Sequence, residues 1–130
     1  MNQPRRISRK AHLYLHCSSL ATFGGSTGIR DEGLLDSAMA RPQNRFIYAP
    51  DSDLAELAAS YGFGIAKNHP FVDGNKRAAF QSVGLFLSLN GYELIADQLD
   101  AIQIMLSLAA GELSEADFAV WIRNHSKSAK

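Results

Sequence analysis

The chain has 130 residues, of which 46% are hydrophobic, and its thirteen basic side chains are balanced by thirteen acidic ones. This length predicts one domain around a single core, and the balanced charge argues against direct nucleic-acid binding as the main activity. One cysteine excludes an intrachain disulfide, and no apolar run approaches the ~18 residues of a membrane span. We therefore expect a cytoplasmic enzyme or binding module that is neither secreted nor inserted into a membrane.

Helical periodicity dominates the sequence and predicts an all-α domain of about six helices, with its core in about residues 8–124. The first helix should begin after Ser8 and run to about Leu20, before Gly24 and Gly25 break it. The side chains expected to face partly inward are Ala11, Leu13, Tyr14, Leu15 and Cys17.

The middle of the chain predicts a short helix, an extended segment and a long helix. The short helix covers residues 33–40 and ends before Pro42, which leaves residues 42–50 as the only extended candidate. The long helix opens with Asp51 or Ser52 as its cap and runs up to the polar motif described below. Its apolar stripe consists of Leu54, Leu57, Ala58, Tyr61 and Ile65.

Three further helices are predicted after that motif. Residues 78–89 are apolar nearly all round, as expected of a central helix, and Asn90-Gly91 ends it. A helix from residue 97 or 98 to 110 follows, and the last helix begins at Ser114 and leaves a frayed tail from Ser126. The inward positions are Leu99, Ile102, Met105, Leu106 and Ala109 on the former and Phe118, Trp121 and Ile122 on the latter.

Residues 69–77 read His-Pro-Phe-Val-Asp-Gly-Asn-Lys-Arg and place a base, a carboxylate, an amide and two cations between two apolar helices. Pro70 disfavours a right-handed helical backbone at His69, so the imidazole should lie on a loop. A neutral imidazole there is suited to taking a proton from an attacking hydroxyl. Phe71 is the expected buried anchor of this polar loop.

The second half of this motif has the chemistry of a phosphate site. Asp73 offers a hard oxygen ligand for the Mg2+ that accompanies nucleotide phosphates. Gly74 permits a positive φ or a close approach of phosphate, and residues 75–77 start the next helix, whose free N–H groups attract anions. Lys76 adds a point charge and Arg77 a planar fork for phosphate oxygens.

An ordinary surface turn is the alternative interpretation of the motif, since Asp-Gly is a common turn signal. Cations in the first turn of a helix oppose the helix dipole, which favours a site for an anion. These residues alone therefore predict a phosphate or nucleotide site but name no reaction. His12 and His16 lie four apart on the first helix without further ligands at matching spacing, so no metal site is predicted there.

The motif resembles the signature of the Fic/Doc (Fido) superfamily, His-x-Phe-x-Asp/Glu-Gly/Ala-Asn-Gly/Lys-Arg, at every defined position. Residues 24–43, beginning Gly-Gly-Ser-x-Gly-Ile-Arg-Asp, resemble the amino-terminal half of death-on-curing (Doc) proteins. Residues 89–92 and Trp121 extend the likeness over roughly residues 8–124. The resemblance implies that Gln43 to Tyr48 form a flap, a short exposed strand that pairs with the target's backbone, and a plain packed loop is the alternative.

Lys76 decides the subgroup, because members that transfer AMP usually carry Gly at this position and the Doc toxins carry Lys. In the Doc toxins ATP is understood to bind reversed, with its γ-phosphate facing the His. The resemblance therefore implies a toxin kinase that uses ATP and Mg2+ to phosphorylate a threonine of elongation factor Tu. The implied roles are His69 as general base, Asp73 as Mg2+ ligand, and Gly74, Asn75, Lys76 and Arg77 as nucleotide contacts. Lys67 is a weaker candidate for a phosphate contact, the alternative being a solvated lysine at a helix end.

Regulation and partners are implied by the same resemblance. The inhibitory helix pattern Ser/Thr-x-x-x-Glu-Gly/Asn of many superfamily members fails here, because Ser52 to Glu56 continues with Leu57. A toxin without built-in inhibition implies a small antitoxin of the prevent-host-death type, whose tail folds along a groove of this domain. The alternatives are AMP transfer to a protein hydroxyl and a catalytically silent module that binds the antitoxin.

Overall fold

The structure, a computed structural model, describes residues 4–129, so residues 1–3 and Lys130 of the predicted single domain lie outside the described residues. The described part contains six α-helices and one two-stranded antiparallel sheet, which confirms the prediction of an all-α domain of about six helices. The elements in chain order are α1 Arg9–Phe23, α2 Glu32–Tyr48, α3 Leu54–Asn68, α4 Asn75–Leu89, β1 Tyr92–Leu94, α5 Gln98–Ala109, α6 Glu115–Asn124 and β2 Ser126–Ser128.

Short polar side chains fix where four of these helices begin. The caps, each accepting a hydrogen bond from the backbone N–H three residues further on, are Ser8, Asp31, Asp53 and Ser114. The prediction of Asp51 or Ser52 as the cap of α3 is wrong. Asp53 is the cap because Glu56, three residues later, returns a hydrogen bond to the Asp53 N–H and completes a reciprocal capping box.

The extended segment predicted over residues 42–50, and the flap over Gln43 to Tyr48, are wrong, because α2 continues through Pro42 to Tyr48. Pro42 is buried, and α2 packs along α3. One turn further on, the Arg45 Nη2 donates a hydrogen bond to the Glu56 Oε2 of α3 at 3.0 Å. Packing against α3 therefore outweighs the backbone hydrogen bond that a proline cannot donate.

Helix α3 is the centre of the fold and contacts α2, α4, α5 and α6. Ten of its fifteen residues are buried, including four of the five predicted stripe residues, and Leu54 packs partly buried against the same core. Two glycines allow the neighbours to come close. A Cβ on Gly62 would lie 2.8 Å from the Phe118 Cε2 of α6, and a Cβ on Gly64 would lie 2.7 Å from the Arg41 Cδ of α2.

The predicted inward face of helix α1 is correct only in part: Ala11 and Leu13 pack partly buried against the core. Its buried residues are His12, His16, Ser19 and Leu20. Cys17 and Tyr14 are exposed, so the prediction that they face inward is wrong. The two histidines can be buried because each has a hydrogen-bonding partner outside α1, on α4 or on the motif loop.

Helix α5 also turns a different face to the core. Leu99, Ile102 and Leu106 were predicted to face inward but are exposed. The buried residues of α5 are Ala101, Met105 and Leu108. Met105 was predicted correctly, and α5 contacts α3, α4 and α6.

The chain after α4 contains the only strands among the described residues. Gly91, at φ 84°, turns the chain into β1, and β1 pairs antiparallel with β2 through Glu93 opposite Lys127. The prediction of a frayed tail from Ser126 is therefore wrong for the described residues. The inward positions predicted on α6 are confirmed for Phe118 and Ile122, which are fully buried. Within residues 4–129 no helix combines the length and apolar character needed to cross a bilayer.

Candidate active site

His69 ends α3 and begins the motif loop, residues 69–74. Its backbone is left-handed, at φ 48° and ψ 56°, and it is the only non-glycine residue with a positive φ among the described residues. The prediction that Pro70 removes His69 from the right-handed helical region is confirmed. The His69 side chain is exposed, so its imidazole is accessible to a second molecule.

The strained backbone at His69 is held by Arg30, which lies in the segment between α1 and α2. The Arg30 Nε donates to the His69 carbonyl at 2.7 Å, and its Nη2 donates to the Asn68 carbonyl at 2.8 Å. The guanidinium thus satisfies carbonyls at the negative end of the α3 dipole. Sequence reasoning gave Arg30 no role.

A short antiparallel backbone contact attaches the motif loop to the same segment. Ile29 and Phe71 form a single bridge, the Arg30 N–H donates to the Pro70 carbonyl at 2.7 Å, and the Val72 N–H donates to the Gly28 carbonyl at 3.1 Å. The loop therefore has hydrogen bonds on both sides of Phe71. This contact fixes the direction of the chain after Phe71, where the second half of the motif begins.

Phe71 and Asn75 lock the interior of the loop. The Phe71 side chain is 1% exposed, which confirms the predicted anchor. The Asn75 Oδ1 accepts from the Phe71 N–H, and the Asn75 Nδ2 donates to the Phe71 carbonyl, both at 3.0 Å. The Asn75 Oδ1 and one proton of its Nδ2 are thus engaged within the loop, and its main-chain N–H is a further donor that a phosphate could accept from.

Asp73 is exposed at the outer edge of the loop, with both carboxylate oxygens oriented by backbone donors. Its Oδ1 accepts from the Gly74 N–H at 2.9 Å, and its Oδ2 accepts from the Ser26 N–H at 3.3 Å. Each oxygen keeps lone pairs free for a cation. A Cβ on Gly25 would lie 2.9 Å from the Asp73 Oδ2, so glycine at position 25 leaves room for the carboxylate.

The donor set around Asp73 fits the implied Mg2+. Within residues 4–129, no group of three or more His, Cys, Asp or Glu side chains could hold a metal ion. A single oriented carboxylate is the arrangement in which Mg2+ takes its remaining oxygens from phosphates and water. Asp73 would thus be the protein ligand of a cation that arrives with a nucleotide.

The amino terminus of α4 is the predicted anion site. Gly74 caps it with φ 74°, and the first intrahelical bond runs from the Ala78 N–H to the Gly74 carbonyl. The main-chain N–H groups of residues 75–77 consequently have no hydrogen-bond partner among residues 4–129, and no acidic side chain lies in this first turn. Lys76 is exposed, and the Arg77 Cζ lies 4.3 Å from the centre of the Phe23 ring.

Lys67 is the one predicted contact that the structure does not bring to this site. Its Nζ lies 5.6 Å from the centre of the Phe63 ring and 3.2 Å from where a Cβ on Gly111 would be. Gly111 lies just after the end of α5. The alternative of a lysine at a helix end, away from the phosphates, is favoured by this position.

The chain belongs to the Fic/DOC family, whose sequence pattern it matches over residues 6–87. It is 33% identical to a protein named Protein kinase doc from Escherichia phage P1 over 126 residues, covering 97% of this chain and 99% of the relative. It is 47% identical to a protein named Toxin Doc from Mycolicibacterium smegmatis over 77 residues, which is 58% of each chain. Within the family it is therefore a Doc-like toxin, and the first similarity supports a kinase-type enzyme.

Proposed function

We propose that this toxin is an ATP- and Mg2+-dependent protein Ser/Thr kinase that transfers the γ-phosphate to a threonine of elongation factor Tu and so blocks translation. The observation that carries the proposal is that one loop holds an exposed imidazole, an oriented carboxylate and a helix start with unpartnered N–H groups and two cations. Those are the parts that phosphoryl transfer requires, because its catalysis is mainly positioning and charge stabilisation.

The reaction assigns one task to each part of the site. His69 takes the proton from the acceptor hydroxyl as its oxygen bonds the γ-phosphorus, and the bond from that phosphorus to the bridging oxygen breaks, so that ADP leaves. Lys76, Arg77 and the free N–H groups at the start of α4 bind the phosphate oxygens. Asp73 would hold Mg2+, which when bound would shield the charge of the phosphates.

The same proposal includes a cytoplasmic partner that inhibits the toxin. The relative named a toxin and the missing inhibitory helix pattern both support control by a separate protein, a small antitoxin of the prevent-host-death type. A disordered antitoxin tail that folds on binding would suit this role.

The test is a two-label transfer assay with purified elongation factor Tu. Label from γ-labelled ATP should appear on the factor, label from α-labelled ATP should not, and His69→Ala should lower the rate by about 10²- to 10⁴-fold. Circular dichroism and thermal unfolding would establish that the variant is folded. Transfer of α-label would mean AMP transfer instead. If His69→Ala and Asp73→Ala arrested growth as strongly as the unaltered chain, the silent binding module would be the correct function.

A further inference from the structure

His16 on α1 makes contacts to the motif loop that the proposed reaction does not use. Its side chain is 3% exposed, and its ring is stacked on the Phe71 ring, with centroids 3.8 Å apart and planes 12° apart. Its Nε2 lies 2.7 Å from the Asp73 carbonyl oxygen and 3.7 Å from where a Cβ on Gly74 would be. One buried imidazole therefore contacts the loop at two residues, Phe71 and Asp73.

The hydrogen bond at 2.7 Å fixes which ring nitrogen carries a proton. A carbonyl oxygen only accepts, so the His16 Nε2 must donate. The Asp73 carbonyl is thereby engaged by a side chain from α1, 57 positions away in the sequence. This bond holds the carbonyl directed towards α1 and occupies one of its two lone pairs.

A competing start for α4 is available to the same sequence. Aspartate is a better helix cap than glycine, so α4 could begin one residue earlier with Asp73 as its cap. The Asp73 carboxylate would then accept from an N–H of the first turn, and its carbonyl would accept from the Arg77 N–H, four residues on. That arrangement would turn the Asp73 carboxylate towards the first turn of α4 and would use two N–H donors of the anion site.

We propose that His16 is a positioning residue that blocks this competing helix start. By donating to the Asp73 carbonyl and stacking on Phe71, it keeps Gly74 as the cap and leaves the Asp73 carboxylate and the Arg77 N–H available to a magnesium nucleotide. The catalytic part of this inference rests on the function proposed above. The conformational part concerns the loop alone and has its own measurement.

Two substitutions test the N–H donor and the aromatic ring of His16 independently. His16→Gln keeps an N–H donor at the distance of Nε2 but loses the stacked ring, whereas His16→Phe keeps the ring and loses the donor. His16→Phe should weaken the affinity for Mg2+-ATP, measured by calorimetry, on the order of 10- to 100-fold. His16→Gln should retain affinity within a few-fold. His12→Leu is the matched control, because His12 is one turn earlier on the same face and bonds Ser82 on α4 instead of the loop.

A measurement without nucleotide distinguishes failure of this inference from failure of the proposed function. Hydrogen exchange of the Arg77 amide should be fast in the unaltered chain and in His16→Gln, and slowed in His16→Phe, where the competing helix start protects it. Nitrogen NMR of the unaltered chain at about pH 8 should show the proton of His16 on Nε2, as the donor role requires.

Three outcomes would overturn the inference: a His16 proton on Nδ1, equal loss of affinity in the Gln and Phe variants, or an Arg77 amide that exchanges equally fast in all of them. If His16→Phe does not fold, the tautomer measurement still decides. If the unaltered chain fails to bind Mg2+-ATP, the proposed function is refuted instead. The hydrogen-exchange and tautomer measurements would still test whether His16 positions the loop.

Discussion

The buried His12 predicts a specific loss of stability in mild acid. Its ring is 3% exposed, its Nδ1 lies 3.2 Å from the Ser82 Oγ, and its Nε2 has no hydrogen-bond partner among residues 4–129. Burial lowers the pKa of His12 from 6.5 to about 4. The imidazole therefore stays neutral in the folded protein at pH values where the unfolded chain is already protonated.

The sign and size of the effect follow from these two pKa values. Between them the unfolded chain binds more protons, so the free energy of unfolding falls as the pH is lowered. The contribution of His12 is complete above its unfolded pKa and is lost as the pH falls towards about 4. One pKa unit corresponds to about 1.4 kcal/mol, which gives a loss of about 2 kcal/mol between about pH 7.5 and about pH 5.

Urea unfolding of the unaltered chain and of His12→Leu at both pH values measures this contribution. Leucine removes the titrating group, and Ser82 keeps its hydrogen bond to the Ala78 carbonyl at 2.9 Å. The variant should therefore lose about 2 kcal/mol less than the unaltered chain over this pH range. Equal pH dependence in both chains would refute the reasoning, because another group would then account for the acid sensitivity.

Three further predictions concern the active site. Lys76→Gly should raise the KM for ATP by about 10- to 100-fold, since a charged hydrogen bond to phosphate is lost, and an unchanged KM in steady-state kinetics would contradict the assigned contact. Arg30→Met should lower the free energy of unfolding by about 1–3 kcal/mol in urea and reduce kcat more than it raises KM, because the carbonyls at the end of α3 lose their donors. Gly25→Ala should weaken the binding of Mg2+-ATP in calorimetry, because the added Cβ would meet the Asp73 Oδ2, whereas Gly24→Ala, with a positive φ and open space around it, should not. Equal effects of the two alanine variants would point to backbone strain as the cause.

The local geometry of the site was predictable because short-range effects determine it. Pro70 alone disfavours a right-handed helical His69, and the glycine at position 74 permits the positive φ that starts α4. The helices were likewise predicted from periodicity and caps. The start of α3 was predicted one or two residues too early, because Asp51 and Ser52 are also suitable cap residues and directly precede the actual cap, Asp53.

The errors lie where distant parts of the chain decide the outcome. Pro42 is a strong local signal to end a helix, but α2 continues through it because of its contacts with α3. The histidines of α1 are polar, so periodicity did not place them in the core. Their burial is favourable only because they have hydrogen-bonding partners on α4 and in the motif loop. Arg30 was missed for the same reason, since its acceptors lie 38 and 39 positions further along the chain.

The first and last described segments of the chain meet at the end of α4 that lies away from the active site. The Arg5 N–H donates to the Asn90 Oδ1 at 2.8 Å, and the Ala129 N–H donates to the Gly91 carbonyl at 3.0 Å. Because the fifteen residues of α4 rise ~1.5 Å each, this junction is about 20 Å from the motif loop. The contacts that close the fold at this end are therefore separated from the motif loop by the whole length of α4.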